Sequence, residues 1–340
     1  MVRKVTLKDI ADATGYTVNT VSRVLKDKEG INEETREIIK QKAVEFNYIP
    51  NMLASSMRSG LSKLIAIVIG NIANPYYSVM VDEIEKFLSE YGYSSIIFNT
   101  RDESDSESQI CKSIISHHVD GAIFFAVSDL SNARLLDSYG IPYLMVGRYP
   151  LGYEGDYLVT EDVRGGHLAV SKLLEAGCRR ILAISAAPKN SCDVERFEGY
   201  RKALQDAGIP FASELTLFFN YESVSCAEML RQVIQDGLQF DGIFVFNDVL
   251  AWEVIYVLNE FGLKVPQDVC VVGYDYLESH LRLPIGLASV SGDKIELARQ
   301  AVALLMGRIR GTEKRCPVRE TMEVSYHAGN TVLSRTLSPT

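Results

Sequence analysis

Residues 64–69 read Leu-Ile-Ala-Ile-Val-Ile with no polar position. Short apolar runs return at 93–98, 121–127, 143–147, 157–160, 180–185, 215–219, 241–246 and 269–273. Each run has strand length, and segments of roughly 10 to 15 residues with helical patterning separate most of them. Val79, Ile84, Phe87, Leu88 and Tyr91 keep the 3.6-residue period in one such segment, and Val254, Ile255, Leu258 and Phe261 keep it in another. Gly92, Gly177, Gly208 and Gly262 stand where helices of this register end. Continuous apolar strands joined by helical crossovers predict parallel sheets covered on both faces. Nine such strands suit two doubly wound α/β subdomains better than one sheet.

The first sixty residues follow another pattern. Thr6-Leu7-Lys8-Asp9 has capping-box spacing and predicts a helix from Leu7, with Leu7, Ile10 and Ala11 on its inner face. Gly15 permits a tight turn. Thr17 caps a second helix from Val18 to about Lys26, with Val21, Val24 and Leu25 turned inward, and Asn32 caps a third from Glu33 to about Phe46. Tyr48-Ile49-Pro50 ends this unit, because the residue before proline avoids helix. Residues 51–60, NMLASSMRSG, then bridge to the first strand and are too short to form a stable helix alone. The expected division is a helix-turn-helix head over 1–49 and a linker over 50–61. Two subdomains follow, one from 62–161 plus 291–321 and one from 162–290 plus 322–340.

Composition narrows the function. The chain has 340 residues, 47% of them apolar, which suits two or three compact units. No apolar run approaches the roughly 18 residues a membrane helix needs. The opening MVRKVTLKDI lacks the apolar stretch of a secretory leader, so a cytoplasmic location is expected. The six cysteines stand at long, irregular spacings without a CxxC pair, as reduced thiols and not a metal or redox motif. Net charge is −9, but residues 1–60 hold ten Lys/Arg against eight Asp/Glu while the remainder is acidic. A basic head on an acidic body fits nucleic-acid contact confined to one end. There is no GxGxxG after a strand, no P-loop, no HExxH and no GxSxG, so neither an enzyme nor a cofactor is expected. His117-His118 closes a helix, and Gly165-Gly166 offers either an anion seat at a helix start or a packing contact.

The second helix begins Val18-Asn19-Thr20 and continues Val21-Ser22-Arg23. Asparagine pairs bidentately with adenine, arginine with guanine or phosphate, and valine meets a thymine methyl. A protein-binding helical bundle is the other use of such a module. In the second half of the chain, chemistry gathers after strand ends, where open α/β sheets bind ligands. Tyr76 and Tyr77 follow the first strand, Arg148 the fourth, Asn247 and Asp248 the eighth and Asp275 the ninth. Arg196 sits early in a helix. Taken singly, Asp248 is equally a helix cap and Arg148 a surface salt-bridge partner.

The segments TLKDIA, TVSRVL, INEETRE and NYIPN occur in this order, followed by IANPYYSVM, HHVDGAIFF, ERFEGYRKAL, DGIFVFNDVLAWEV and GLKVPQDVCVVGYD. Over nearly its whole length the chain resembles the lactose/galactose repressor (LacI/GalR) family of bacterial transcription regulators. The resemblance implies a periplasmic-binding-protein-like core, a homodimer or tetramer, a palindromic operator and a small-molecule effector, with a sugar or sugar derivative as the family default. It implies DNA contacts at Thr6, Thr17, Val18, Asn19, Thr20, Ser22, Arg23, Asn51, Ala54 and Met57. The segment matching Asn51–Ser59 is implied to fold into a hinge helix on DNA, with Met57 wedged into the minor groove where the family has leucine. Effector contacts are implied at Tyr76, Tyr77, Arg148, Arg196, Tyr221, Asn247 and Asp275, and Gly165-Gly166 reads as packing. The chain departs from the family at Cys178, in Val290–Lys294 and in SYHAGNT. The alternatives are a sugar-binding protein of the same core without regulatory role, or a regulator governed by a nucleobase or a phosphorylated partner protein.

Overall fold

The computed structural model describes residues 5–49, 60–125, 130–219, 225–281, 285–312 and 316–333. The chain divides into two compact units, Met1–Ser62 and Lys63–Thr340.

The first unit holds three helices, α1 (Leu7–Thr14), α2 (Val18–Val24) and α3 (Glu33–Glu45). The capping box at α1 is formed. Thr6 Oγ1 accepts from the Asp9 amide at 3.3 Å, and the Asp9 carboxylate accepts from the Thr6 amide at 2.8 Å. Gly15, at φ 74°, closes α1 in the left-handed conformation. Helix α2 stops at Val24, short of the expected Lys26. Asp27 turns left-handed at φ 51°, and the Lys28 amide folds back onto the Arg23 carbonyl at 3.0 Å. Ile10, Ala11, Val21, Val24, Ile39 and Ala43 form the core of this unit.

The second unit alternates strand and helix in two halves. The first half contains β1 (Leu64–Ile69), α4 (Pro75–Glu90), β2 (Ser94–Asn99), α5 (Ser104–Ser116), β3 (Gly121–Phe124), α6 (Leu130–Ser138), β4 (Tyr143–Val146) and β5 (Tyr157–Thr160). The second contains α7 (Asp162–Glu175), β6 (Ile181–Ala186), α8 (Ser191–Asp206), β7 (Thr216–Phe219), α9 (Cys226–Gln235), β8 (Gly242–Val245), α10 (Asp248–Glu260), β9 (Cys270–Tyr274) and β10 (Ala288–Gly292). The chain then returns through α11 (Lys294–Arg310) and ends in β11 (Arg319–Met322) and β12 (Val324–His327). The strands build two six-stranded sheets, ordered β11-β5-β4-β3-β1-β2 and β12-β10-β9-β8-β6-β7. Every pairing is parallel except β12 against β10.

Twelve strands are described where nine were expected, the additions being β10, β11 and β12. Their signal is weak for a physical reason. Strand β10 reads ASVSG, small and half polar, while β11 and β12 lie at sheet edges with most side chains in contact with water. Central strands such as β1, β6 and β9 are buried almost throughout and read as unbroken apolar runs.

The main chain passes between the lobes at Glu161, at Asp293 and at Glu323. These crossings are neighbours: the Glu161 amide donates to the Met322 carbonyl at 2.9 Å. A Cβ on Gly292 would lie 2.6 Å from Thr160 Cγ2 and 3.4 Å from the Glu323 carbonyl oxygen. Three adjacent crossings make a hinge about which the lobes can open and close.

Candidate functional site

Both sheets present the C-terminal ends of their strands to the cleft between the lobes, and a cavity of about 190 Å³ lies there. The first lobe supplies Tyr76 and Tyr77 from the start of α4, Asp102 after β2, Phe125 after β3 and Arg148 after β4. The second supplies Arg196 from α8, Phe246 and Asn247 after β8, and Asp275 after β9. Six of the seven expected effector residues therefore line one space. The seventh, Tyr221, lies outside the described residues, as do Asn51, Ala54 and Met57.

Each polar side chain has a definite setting. Arg148 donates from Nη2 to Asp102 Oδ1 at 2.8 Å, while its buried Nε has no hydrogen-bond partner. The pair is largely enclosed, with side-chain exposures of 14% and 19%, so Arg148 is not the surface salt-bridge partner weighed above. Arg196 donates to Asp162 Oδ1 at 3.2 Å and to the Phe246 carbonyl at 2.7 Å, and its guanidinium lies 3.6 Å from the Tyr274 ring centroid. Its remaining Nη2 points toward Asp275 at 3.7 Å. Asn247 caps α10, its Oδ1 accepting from the Leu250 amide at 2.9 Å, which leaves its amide NH₂ for the cavity. Asp248 is the first residue of that helix and not its cap. It turns away from the cavity, accepting from Ser289 Oγ at 2.7 Å and the Leu277 amide at 2.8 Å.

Burial raises both carboxylates of this wall. It pushes Asp248 up to about 8, with the nearby Asp275 charge adding to the effect. It pushes Asp275 to about 6, partly offset by Arg196 and Lys294. Asp275 also holds a backbone φ of 100°, and Tyr276 follows at 44°. Two successive non-glycine residues at positive φ store strain beside the cavity, as ligand sites commonly do. Tyr276 is held by stacking flat on His327, with centroids 3.7 Å apart.

Several site residues escaped the sequence reading. Asp102 follows a strand just as Tyr76 and Arg148 do, and the strand-end rule applied to every strand would have found it; Phe125 lay inside the run expected as a strand over 121–127, which ends at Phe124. Gly70 carried no signal. A Cβ there would collide with Asp102 Oδ1 and lie 2.7 Å from Arg148 Nη2 and 2.9 Å from the Tyr77 hydroxyl. Gly165, Gly166 and Gly199 are packing positions: a Cβ on Gly166 would strike the Arg196 carbonyl, and one on Gly199 the Val163 carbonyl. These contacts bring α7 and α8 together at backbone distance and set Arg196 in place.

In the head, Val18 and Asn19 are exposed at the start of α2 and Arg23 is exposed in its last turn, while Thr20 and Ser22 are half-buried. Thr17 Oγ1 accepts from the Thr20 amide at 3.1 Å, and Thr6 Oγ1 is engaged in the α1 capping box. Arg23 donates from Nη2 to the Glu29 carbonyl at 2.8 Å. Val18, Asn19 and Ser22 thus keep side chains uncommitted for an outside partner.

Residues 6–51 match the profile of bacterial regulatory proteins of the lacI family, and residues 170–332 match a periplasmic binding protein-like domain. The HTH-type transcriptional regulator CelR of Thermobifida fusca is 30% identical over 332 residues, covering 94% of this chain and 96% of the relative. The chain belongs to the lacI family of bacterial regulatory proteins. As a lacI-family member it is a DNA-binding transcription regulator, with the helix-turn-helix head and two-lobed core that the sequence implies. The Escherichia coli ribose operon repressor is 28% identical over 306 residues, covering 89% of this chain and 93% of the relative. A solved complex of the regulator CelR with cellobiose superposes with a TM-score of 0.71 at 28% identity, covering 96% of this chain and all of the other. Among the described residues, no helix is long and apolar enough to cross a membrane.

Proposed function

We propose that this lacI-family chain is a repressor that binds a palindromic operator as a homodimer and answers to a small-molecule effector held between its core lobes. The observation that carries the reading is the joint ownership of the cavity. Tyr76, Tyr77 and Arg148 come from one lobe and Arg196, Asn247 and Asp275 from the other, with the three-stranded crossing beside them. A ligand touching both walls binds one lobe arrangement better than another, and only such differential affinity shifts an equilibrium. Residues 1–49 read DNA through Val18, Asn19, Thr20, Ser22 and Arg23, with Thr6 and Thr17 at helix starts facing phosphate. Residues 50–61, with Asn51, Ala54 and Met57, connect head and core and contact the minor groove. A head of this size has too small a footprint to specify a site alone, so two heads act together on a two-fold operator.

The ligand is a sugar or sugar derivative, in keeping with the ribose operon repressor and the CelR–cellobiose complex among its relatives. The cavity acts by binding and not by catalysis. Its one thiol, Cys192, donates to Asn190 Oδ1 at 2.9 Å, and burial pushes it well above the usual thiol range. No histidine lines the cavity among the described residues, and the Asp193 carboxylate stands 3.9 Å from the thiol. A cytoplasmic site of action follows from this role. A gel shift with fragments of the host genome tests the reading. The expected result is retention of a discrete, two-fold symmetric fragment, altered by a ligand of the core. Equal, weak retention of all fragments would overturn it.

A further inference from the structure

We infer that the ligand of the cleft is an uncharged, single-ring polyol, a monosaccharide or cyclitol without phosphate or carboxylate. This rests on the effector reading above and adds the chemical class of the ligand.

Size comes first. Ligand pockets commonly measure about 300–1,000 Å³, and an apolar cavity of about 150 Å³ takes up benzene. At about 190 Å³ this cavity holds one substituted six-membered ring. In this arrangement of the lobes a second ring is hindered where they touch beside the cavity. The Ser191 amide donates to the Tyr149 carbonyl at 2.9 Å, and the Tyr149 amide donates to Ser191 Oγ at 3.1 Å. On the adjoining side, His280 Nε2 stands 3.6 Å from Glu83 Oε1.

Charge comes second. The charged residues lining the cavity are Arg148, Arg196, Asp102 and Asp275. Both guanidinium groups already face carboxylates: Arg148 meets Asp102 at 2.8 Å, and Arg196 meets Asp162 at 3.2 Å and Asp275 at 3.7 Å. Lys294, behind the wall, spends its amine on the Tyr276 carbonyl at 3.2 Å and Ser291 Oγ at 3.1 Å. A phosphate entering here would give up part of its water and meet balanced or negative charge, which is costly.

The shape of the walls comes third. Tyr76, Tyr77 and Phe125 stand edge to face, with interplanar angles of 74°, 89° and 75°. These three rings can cover the C–H faces of a puckered ring, and no two of them are parallel planes that would sandwich a flat heterocycle. The polar groups are spaced around them: the orphan Nε of Arg148 and the Asn247 amide donate, and the Asp102 and Asp275 carboxylates accept. Alternating donors and acceptors around apolar faces match ring hydroxyls, each of which donates and accepts.

The test is calorimetric titration of the full-length protein with four sets of probes. They are neutral pentoses, hexoses and myo-inositol; the phosphates of the same sugars; cellobiose and maltose; and hypoxanthine and guanine. At least one neutral ring is expected to bind saturably, with its own phosphate at least tenfold weaker and no heat from the two-ring sugars or the bases. Tighter binding of a phosphate, a two-ring sugar or a base overturns the inference while leaving the effector reading intact. Silence from all four sets, in protein that unfolds cooperatively, overturns the effector reading itself. Asp102→Asn frees Arg148 of its counter-charge and should narrow the gap between sugar and sugar phosphate at least tenfold. An unchanged gap in the folded variant contradicts the charge argument, and the wild-type panel decides the matter if the variant does not fold.

Discussion

Gly70→Ala is the sharpest single-residue perturbation of the site, because it adds one carbon at the point where three polar side chains converge. The new Cβ would overlap Asp102 Oδ1 and lie 2.7 Å from Arg148 Nη2 and 2.9 Å from the Tyr77 hydroxyl. Strand β1 cannot retreat, since it is hydrogen-bonded to both β2 and β3. The Asp102 side chain must therefore swing away, breaking its 2.8 Å contact with Arg148. Overpacking of this kind costs about 1–3 kcal/mol of stability, which lowers the melting temperature of a core of this size by a few degrees. The larger effect falls on the ligand. Losing one charge-assisted hydrogen bond removes about 1.5–3 kcal/mol, which is roughly ten- to hundredfold in affinity. Calorimetry on the core ligand, with circular dichroism and thermal melts as folding controls, measures both effects. Operator binding without ligand should be unchanged, because the head folds as its own unit. A Gly70→Ala protein with wild-type ligand affinity would refute the placement of Arg148 and Asp102 in the site.

Asp275→Ala should keep operator affinity and lose tenfold or more in ligand affinity, about 1.5–3 kcal/mol, read by anisotropy on labelled operator; an unchanged ligand response would place the effector elsewhere. In the wild type, ligand affinity should fall as pH drops through about 6, where the Asp275 carboxylate takes up its proton, and a flat profile from pH 5 to 7.5 would contradict its role as acceptor. Asp248→Asn should change the pH dependence of stability. The folded carboxyl titrates near 8, against a usual value of 3.8, so between these values the native state holds a proton that the unfolded chain has released. Wild-type stability therefore declines with rising pH in that window by about 1.4 kcal/mol per unit from this group. The variant should lose that slope in urea titrations at pH 5.5, 6.5 and 7.5, and parallel curves for the two proteins would sink the argument. Replacing Val18 and Asn19 together should redirect operator preference at about 1–3 kcal/mol per affected base pair, read by selection from a randomised operator library; uniform weakening with preference intact would remove them from base reading.

What the sequence made legible follows the strength of the local signal. Helices α1 and α3 begin where Thr6 and Asn32 place their caps, because a cap is written in adjacent residues. Central strands declare themselves by unbroken apolar runs, since both faces are covered. The edge strands β11 and β12 do not, because their outward side chains meet water and their pairing partners lie far along the chain. Residues that the strand-end rule singles out, such as Arg148 and Asp275, line the cavity. Gly70 stayed hidden because its role depends on Asp102 and Arg148, which reach it from two other strand ends. The strain at Asp275 and Tyr276 is likewise hard to see in sequence, since aspartate takes a positive φ only occasionally and tyrosine rarely.

The central claim is that ligand in the core cleft controls DNA binding by the head. The most direct test is to measure the operator affinity of the full-length protein by fluorescence anisotropy with and without a saturating neutral monosaccharide identified by calorimetry. Allosteric couplings typically amount to about 1–3 kcal/mol, or roughly 5- to 150-fold. The account predicts a change in operator Kd within that range, in either direction, for the wild type, with the midpoint of the response moved to at least tenfold higher sugar in Asp275→Ala. An operator Kd that stays constant while the cleft is shown to be full would contradict it.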